Sequence, residues 1–205
     1  MTNRKNWPVG LSTSHFGSLA HRESEVFSEY RKAGIRVFVV HPSYEPIGGD
    51  RPQRMERSRS NLALLVREAE SLGARLCVEN MARTCLLNSS AEMIDCLKAV
   101  PGLYMCFDSN HLLGEANPDF LRLLYEAGLA GRIGNVHISD YDFIDERHEL
   151  PGNGKNDWPA IIAGLEKLDY DGPFLYEPHA NSPGRAVITP AMVAESRDRL
   201  LGEGV

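Results

Sequence analysis

The segment Tyr104-Met105-Cys106-Phe107-Asp108-Ser109-Asn110-His111 decides how the rest of this 205-residue chain is read. A short, mostly apolar run goes straight into Asp-Ser-Asn-His. So short an apolar run fits a strand covered on both faces, as in parallel sheets whose connections are helices. Its sudden polar ending puts reactive side chains at the strand's C-terminal end.

The same pattern recurs on both sides of this segment. Val39-Val40 ends in His41-Pro42-Ser43, and Leu76-Cys77-Val78 ends in Glu79-Asn80. Downstream, Asn135-Val136 ends in His137-Ile138-Ser139-Asp140, and Phe174-Leu175-Tyr176 ends in Glu177-Pro178-His179. Strands are predicted at Val9–Ser14, Arg36–Val40, Arg75–Glu79, Tyr104–Asp108, Gly134–Ser139 and Pro173–Glu177. Helical periodicity fills the gaps at Arg59–Leu72, Ser90–Val100, Pro118–Ala127 and Pro159–Leu168. Ser90 and Glu92 mark a helix start, and Pro118 with Gly128 bracket another. Alternating strands and helices imply parallel strands joined by right-handed crossovers. No Gly-x-Gly-x-x-Gly or phosphate loop follows any strand, which argues against a nucleotide-binding open sheet. Residues 1–205 are expected to form a single domain.

Composition agrees with a globular α/β protein: 42% of residues are hydrophobic and 24% charged. The formal net charge is −6, and the arginines at 51, 54, 57 and 59 form no basic run. Such a field repels phosphate backbones, so nucleic acid is not an expected partner. Cys77, Cys85, Cys96 and Cys106 lie in or beside apolar segments without a Cys-x-x-Cys spacing, and are read as buried free thiols. Met1–Pro8 lacks the apolar stretch of a signal peptide, and no window approaches a membrane span. A cytoplasmic address without membrane attachment is the expectation.

In a parallel barrel the C-terminal strand ends share one rim, where active sites of this architecture lie. Glu79, Asp108 and His137 follow one another at intervals of 29 residues, so each stands one strand over from the last. With Glu177 they make an oxygen-rich set with one imidazole, suited to Mn²⁺, Mg²⁺, Co²⁺ or Zn²⁺. Taken singly, Glu79 or Asp108 is as easily a helix cap and His137 a core histidine. Four such residues at the same end of successive strands make a metal centre the better reading. His41, His111, Glu146 and His148 are expected nearby as substrate-binding groups. The last two lie in a glycine-containing rim loop, 146–154. His15, His21 and His179 are assigned structural or surface positions.

These segments together resemble the xylose isomerase-like barrel superfamily, which includes sugar isomerases, ketose 3-epimerases and type IV apurinic endonucleases. The matching pieces are Val-Val-His41-Pro, Val-Glu79-Asn, Phe-Asp108-Ser-Asn-His111, Val-His137-Ile-Ser-Asp140, Arg147-His148 with Leu150-Pro-Gly-Asn-Gly and Asp157-Trp158, and Tyr-Glu177. The resemblance implies that Glu79, Asp108, His137 and Glu177 bind a divalent metal. It also implies that Glu79 and Glu177 act as acid and base on opposite faces of a sugar or sugar phosphate. Proton transfer would pass through a metal-stabilised enediolate, with His111 contacting substrate oxygens.

Two features depart from the pattern. Asn153 stands where relatives often carry Glu in Pro-Gly-Glu-Gly. The chain also holds six predicted strands in 205 residues, against eight in roughly 250 for a full barrel. About two βα units are missing near Gly34-Ile35, which exposes strand edges that a homodimer would cover. Two alternatives follow. One is an apurinic endonuclease IV-like phosphoester hydrolase using more than one metal. The other is a non-catalytic truncated barrel.

Overall fold

The computed structural model describes residues 32, 34–44, 50–179 and 187–202. The predicted strand Val9–Ser14, and His15 and His21, lie outside these residues.

Five strands and five helices alternate along the described chain: β1 (Val37–Val40), α1 (Arg51–Ser71), β2 (Arg75–Glu79), α2 (Ser90–Ala99), β3 (Tyr104–Asp108), α3 (Asn117–Glu126), β4 (Ile133–Ile138), α4 (Trp158–Lys167), β5 (Phe174–Tyr176) and α5 (Pro190–Leu201). Every strand pair is parallel, in the order β1-β2-β3-β4-β5. A flat sheet would hold β1 and β4 about 14 Å apart, three spacings of about 4.8 Å. Here their Cα atoms approach within 8 Å, so the sheet curls strongly. The result is a half-barrel, a shortened form of the eight-stranded architecture.

Strand alternation sorts side chains between the two faces. Leu76, Val78, Met105, Phe107, Val136 and Ile138 point to the convex side. There they join Leu62, Val66, Met93, Leu97, Phe120, Leu124, Ile161 and Leu165 of the helices in one buried core. Cys77, Glu79, Cys106, Asp108, Asn135 and His137 occupy the alternate positions and face the concave side.

Two helices differ from the sequence prediction. α1 begins at Arg51 rather than Arg59, capped by Asp50, whose side chain accepts from Gln53 N at 3.4 Å, with Pro52 in its first turn. The extra turns are held from outside the helix. Arg51 donates to Glu92 at 2.7 Å and to the carbonyls of Thr84 and Cys85 at 2.8 Å. α5 has no counterpart among the predicted helices. Thr189 caps it through Met192 N, and Gly202 ends it at φ 67°. All four cysteines are buried and stand outside any disulfide. No helix among the described residues is long and apolar enough to cross a membrane.

Candidate metal centre

Glu79 and Asp108 are the last residues of β2 and β3, His137 is the penultimate residue of β4, and Glu177 follows β5. Their alignment depends on stagger. Asp108 is level with His137, but Glu79 is level with Cys106, and His137 with Leu175. Strand tilt in a barrel converts that stagger into a common height. One ligand-type atom from each of the four residues lies within 4.8 Å of all the others. His137 Nδ1 is 3.3 Å from Glu79 Oε2, 3.3 Å from Glu177 Oε2 and 4.0 Å from Asp108 Oδ2.

Burial is nearly complete on the inner side, with Glu79 and Asp108 at 2% and 0% side-chain exposure, against 32% for Glu177. Glu79 Oε2, Asp108 Oδ2 and His137 Nδ1 are all buried without a hydrogen-bond partner. An orphaned buried polar atom is costly, and three aimed at one point call for a shared partner. The donor set, three carboxylates and one imidazole, fits a divalent cation.

The electrostatics agree. Burial pushes the Asp108 carboxyl up to about 8, with the Glu79 and Glu177 charges adding to the rise against His111 and His137. Burial would also raise Glu79, but the imidazoles of His137, His41 and His111 outweigh it and hold that carboxyl well below its usual range. Burial opposes ionisation of His137. Cys106, Glu177 and Glu79 reverse that and raise it strongly. A cluster that retains protons on a carboxyl and an imidazole is one whose negative charge needs neutralising.

Buried amides shape this centre. Asn80 donates through Nδ2 to Asp108 O at 2.9 Å and accepts from Asp108 N at 2.8 Å, extending the β2–β3 ladder with a side chain. Asn80 O lies 2.8 Å from His111 Nδ1, and because a carbonyl only accepts, that nitrogen carries the proton. His111 Nε2 then faces Asp108 at 3.6 Å and Glu146 at 3.7 Å.

The remaining expected residues surround the same point. His41 Nε2 is 3.3 Å from Glu79 Oε2. His148 adopts φ 48°, and Asn110 Oδ1 holds it there by accepting from the backbone N–H groups of Arg147 and His148 at 3.2 Å each. Its Nδ1 lies 3.1 Å from Glu177 O. Burial, together with His179 and His111, lowers the His148 imidazole to about 4. His179, read from the sequence as a structural or surface residue, stacks on His148 with centroids 3.9 Å apart.

Besides Asn80 and Asn110, two further residues were given no role from the sequence. Arg83 pairs with Glu146 and with Asp145, both at 2.8 Å, and so ties the rim loop to the β2–α2 connection. Asp140 is fully buried and accepts from Tyr141 N, Gly152 N, Asn156 N and Trp158 Nε1, at 2.9–3.1 Å. It anchors the loop that carries Glu146 and His148. Its signal was the run of Pro-Gly-Asn-Gly and Asp157-Trp158 after a strand end, quoted without a role. Beside His111 a cavity of about 440 Å³ opens between Arg83, Asn88, Ser89, Ser90, Leu113 and Glu115, enough room for a small polar molecule.

A family profile described as xylose isomerase-like TIM barrel matches residues 29–201. Uncharacterized protein MJ1311 of Methanocaldococcus jannaschii is 28% identical over 143 residues, covering 66% of this chain and 48% of that protein. The chain thus spans about half the length of that curated relative. Among solved structures, a D-tagatose 3-epimerase-like protein superposes with a TM-score of 0.73 at 22% identity, covering 93% of this chain and 71% of its own. D-psicose 3-epimerase, solved with D-fructose, gives 0.71 at 22% identity, covering 97% and 73%. IolI protein with a bound zinc atom gives 0.73 at 14% identity, covering 95% and 73%. At these identities the likeness to solved structures is one of fold.

Proposed function

The chain belongs to the xylose isomerase-like TIM barrel family, and from that premise we propose that it is a divalent-metal-dependent sugar or sugar phosphate isomerase or epimerase. The observation that carries this reading is the convergence of Glu79, Asp108, His137 and Glu177 within 4.8 Å, three of them with orphaned buried atoms. These four residues would hold the cation. When bound, it would polarise a sugar carbonyl and the neighbouring hydroxyl, and so acidify the proton on the carbon beside them.

Glu79 and Glu177 would move that proton, one removing it and the other returning one on the opposite face. Burial would raise both carboxyls, but His137 beside them holds both below their usual range, so each is ionised at neutral pH and free to accept a proton. His111, its Nδ1 proton committed to Asn80 O, turns Nε2 toward the Asp108 and Glu146 carboxylates, which favour a proton there and make it a donor to a substrate oxygen. Glu146 and His148, held by Arg83 and Asn110, would complete the contacts to substrate hydroxyls and keep water from the reacting carbon. His41 would orient Glu79 from the open side.

Elemental analysis of the purified chain, together with solvent deuterium incorporation into a ketose panel, tests the reading. One metal per chain and deuterium in at least one ketose or ketose phosphate is the expected result. Two or three metals with phosphoester cleavage and no exchange would replace it with the hydrolase reading. Absence of both metal and exchange would overturn it in favour of a non-catalytic barrel.

A further inference from the structure

Below the four rim residues lies a thiol that the proposed chemistry does not use. Cys106 is two residues before Asp108 on β3, so it faces the same concave side one layer deeper. It is the register partner of Glu79 across the β2–β3 ladder. Cys106 is fully buried; its Sγ accepts a weak bond from Asn135 Nδ2 at 3.7 Å and interacts with the His137 imidazole. Ligand-type atoms of Cys106, Glu79 and His137 lie within 4.8 Å of one another. Glu79 Oε2, on a side chain only 2% exposed, and His137 Nδ1 are both without a hydrogen-bond partner.

We propose that Cys106, Glu79 and His137 form a second, deeper ligand set in the same pocket, which captures a thiophilic divalent cation such as Zn²⁺ or Cd²⁺. Zinc binds sulfur at about 2.3 Å and nitrogen or oxygen at about 2.0–2.2 Å, so ligand atoms facing each other across one ion stand up to about 4.4 Å apart. The separations here close on an ion with small side-chain adjustments. Softness decides which set is used: a thiolate favours Zn²⁺ or Cd²⁺, whereas Mg²⁺ and Mn²⁺ favour the oxygens of Asp108 and Glu177. On capture the Cys106 S–H bond breaks, a sulfur–metal bond forms, and the proton leaves to solvent. Both sets need Glu79 and His137, so the two classes of cation exclude one another. This assignment rests on the proposed function only for those two shared ligands.

Titration of the full chain with Cd²⁺, followed by ultraviolet absorption, tests this, with Mn²⁺ binding measured in parallel. The expected result is a thiolate-to-cadmium charge-transfer band that saturates at one equivalent, survives in Cys77→Ser and disappears in Cys106→Ser. In Cys106→Ser the ratio of Cd²⁺ to Mn²⁺ affinity falls by more than about 100-fold, beyond the range of outer-shell changes. If that variant fails to fold, the wild type still decides, because Mn²⁺ must be displaced in step with growth of the band. Bound Cd²⁺ without a band, or a band unchanged in Cys106→Ser, overturns the deeper set and leaves the rim reading intact if Mn²⁺ binds. A Cd²⁺ band with no Mn²⁺ binding does the reverse. Failure to bind either ion overturns both.

Discussion

Strands β2, β3 and β4 are paired on both sides, and their side chains are buried almost throughout. β5 pairs only with β4 among the described residues, and all three of its residues stay half-buried. The candidate centre straddles this divide. Glu79, Asp108 and His137 come from the enclosed strands, whereas Glu177 follows the edge and is 32% exposed. Packed neighbours hold the first three in place, and ladder bonds from Asn80 hold Asp108 further. Glu177 depends on fewer contacts, chiefly His137 beside its carboxylate and the Ile138 carbonyl that accepts from its N–H at 3.0 Å. Position on the sheet, rather than residue type, therefore separates the three enclosed candidate ligands from the partly exposed one.

The largest test of this contrast is in packing. Phe107→Ala removes a fully buried ring of β3 that lies 6.1 Å from Phe120, and the expected loss is about 3–5 kcal/mol by urea unfolding. Phe174→Ala on β5 should cost less than about 2 kcal/mol. Equal losses would mean that the edge is as tightly packed as the centre.

Next in size is metal retention. Asp108→Asn should weaken divalent-cation binding by more than about 100-fold in equilibrium dialysis, beyond the roughly 10–100-fold of outer-shell changes, because it removes the charge of a fully buried proposed ligand. Glu177→Gln should weaken binding by about 10-fold, since solvent can fill the vacated position. It should nevertheless abolish proton exchange. A Glu177 variant that exchanges deuterium at the wild-type rate removes that residue from the chemistry.

A smaller effect is expected for stabilisation by the ion. Saturating Mn²⁺ at about 100 times its dissociation constant should add about 2.7 kcal/mol to the wild type. A calorimetric scan of Asp108→Asn at the same Mn²⁺ concentration should show little of that gain. The smallest concerns the other edge. His41→Ala, on the partly exposed end of β1, should change metal affinity by no more than about 0.5 kcal/mol. A loss as large as that of Asp108→Asn would make His41 a ligand.

The helix Arg51–Ser71 shows how far local patterning reaches. Its second half carries Leu62, Val66 and Ala69 at helical spacing and was legible. Its first turns hold four arginines and one buried apolar side chain, Met55, too few to show as a stripe. They are helical because Arg51 reaches across to Glu92 and the Thr84–Cys85 carbonyls. Asp140 likewise resembled a ligand-type residue at a strand end, yet its carboxylate is spent on four loop donors. Only the loop's path distinguishes it from Asp108.

Apolar runs of strand length, their separation by helical stretches, and the acidic or imidazole residue closing each run were properties of the sequence alone. They specify parallel strands with reactive groups at one end, because strand and helix periods are local. Register, curvature and edge position arise from the packing of many residues at once. The two-residue stagger that sets Glu79 level with Cys106, the tilt that brings four side chains to one height, and the openness that leaves Glu177 half in solvent were decided there.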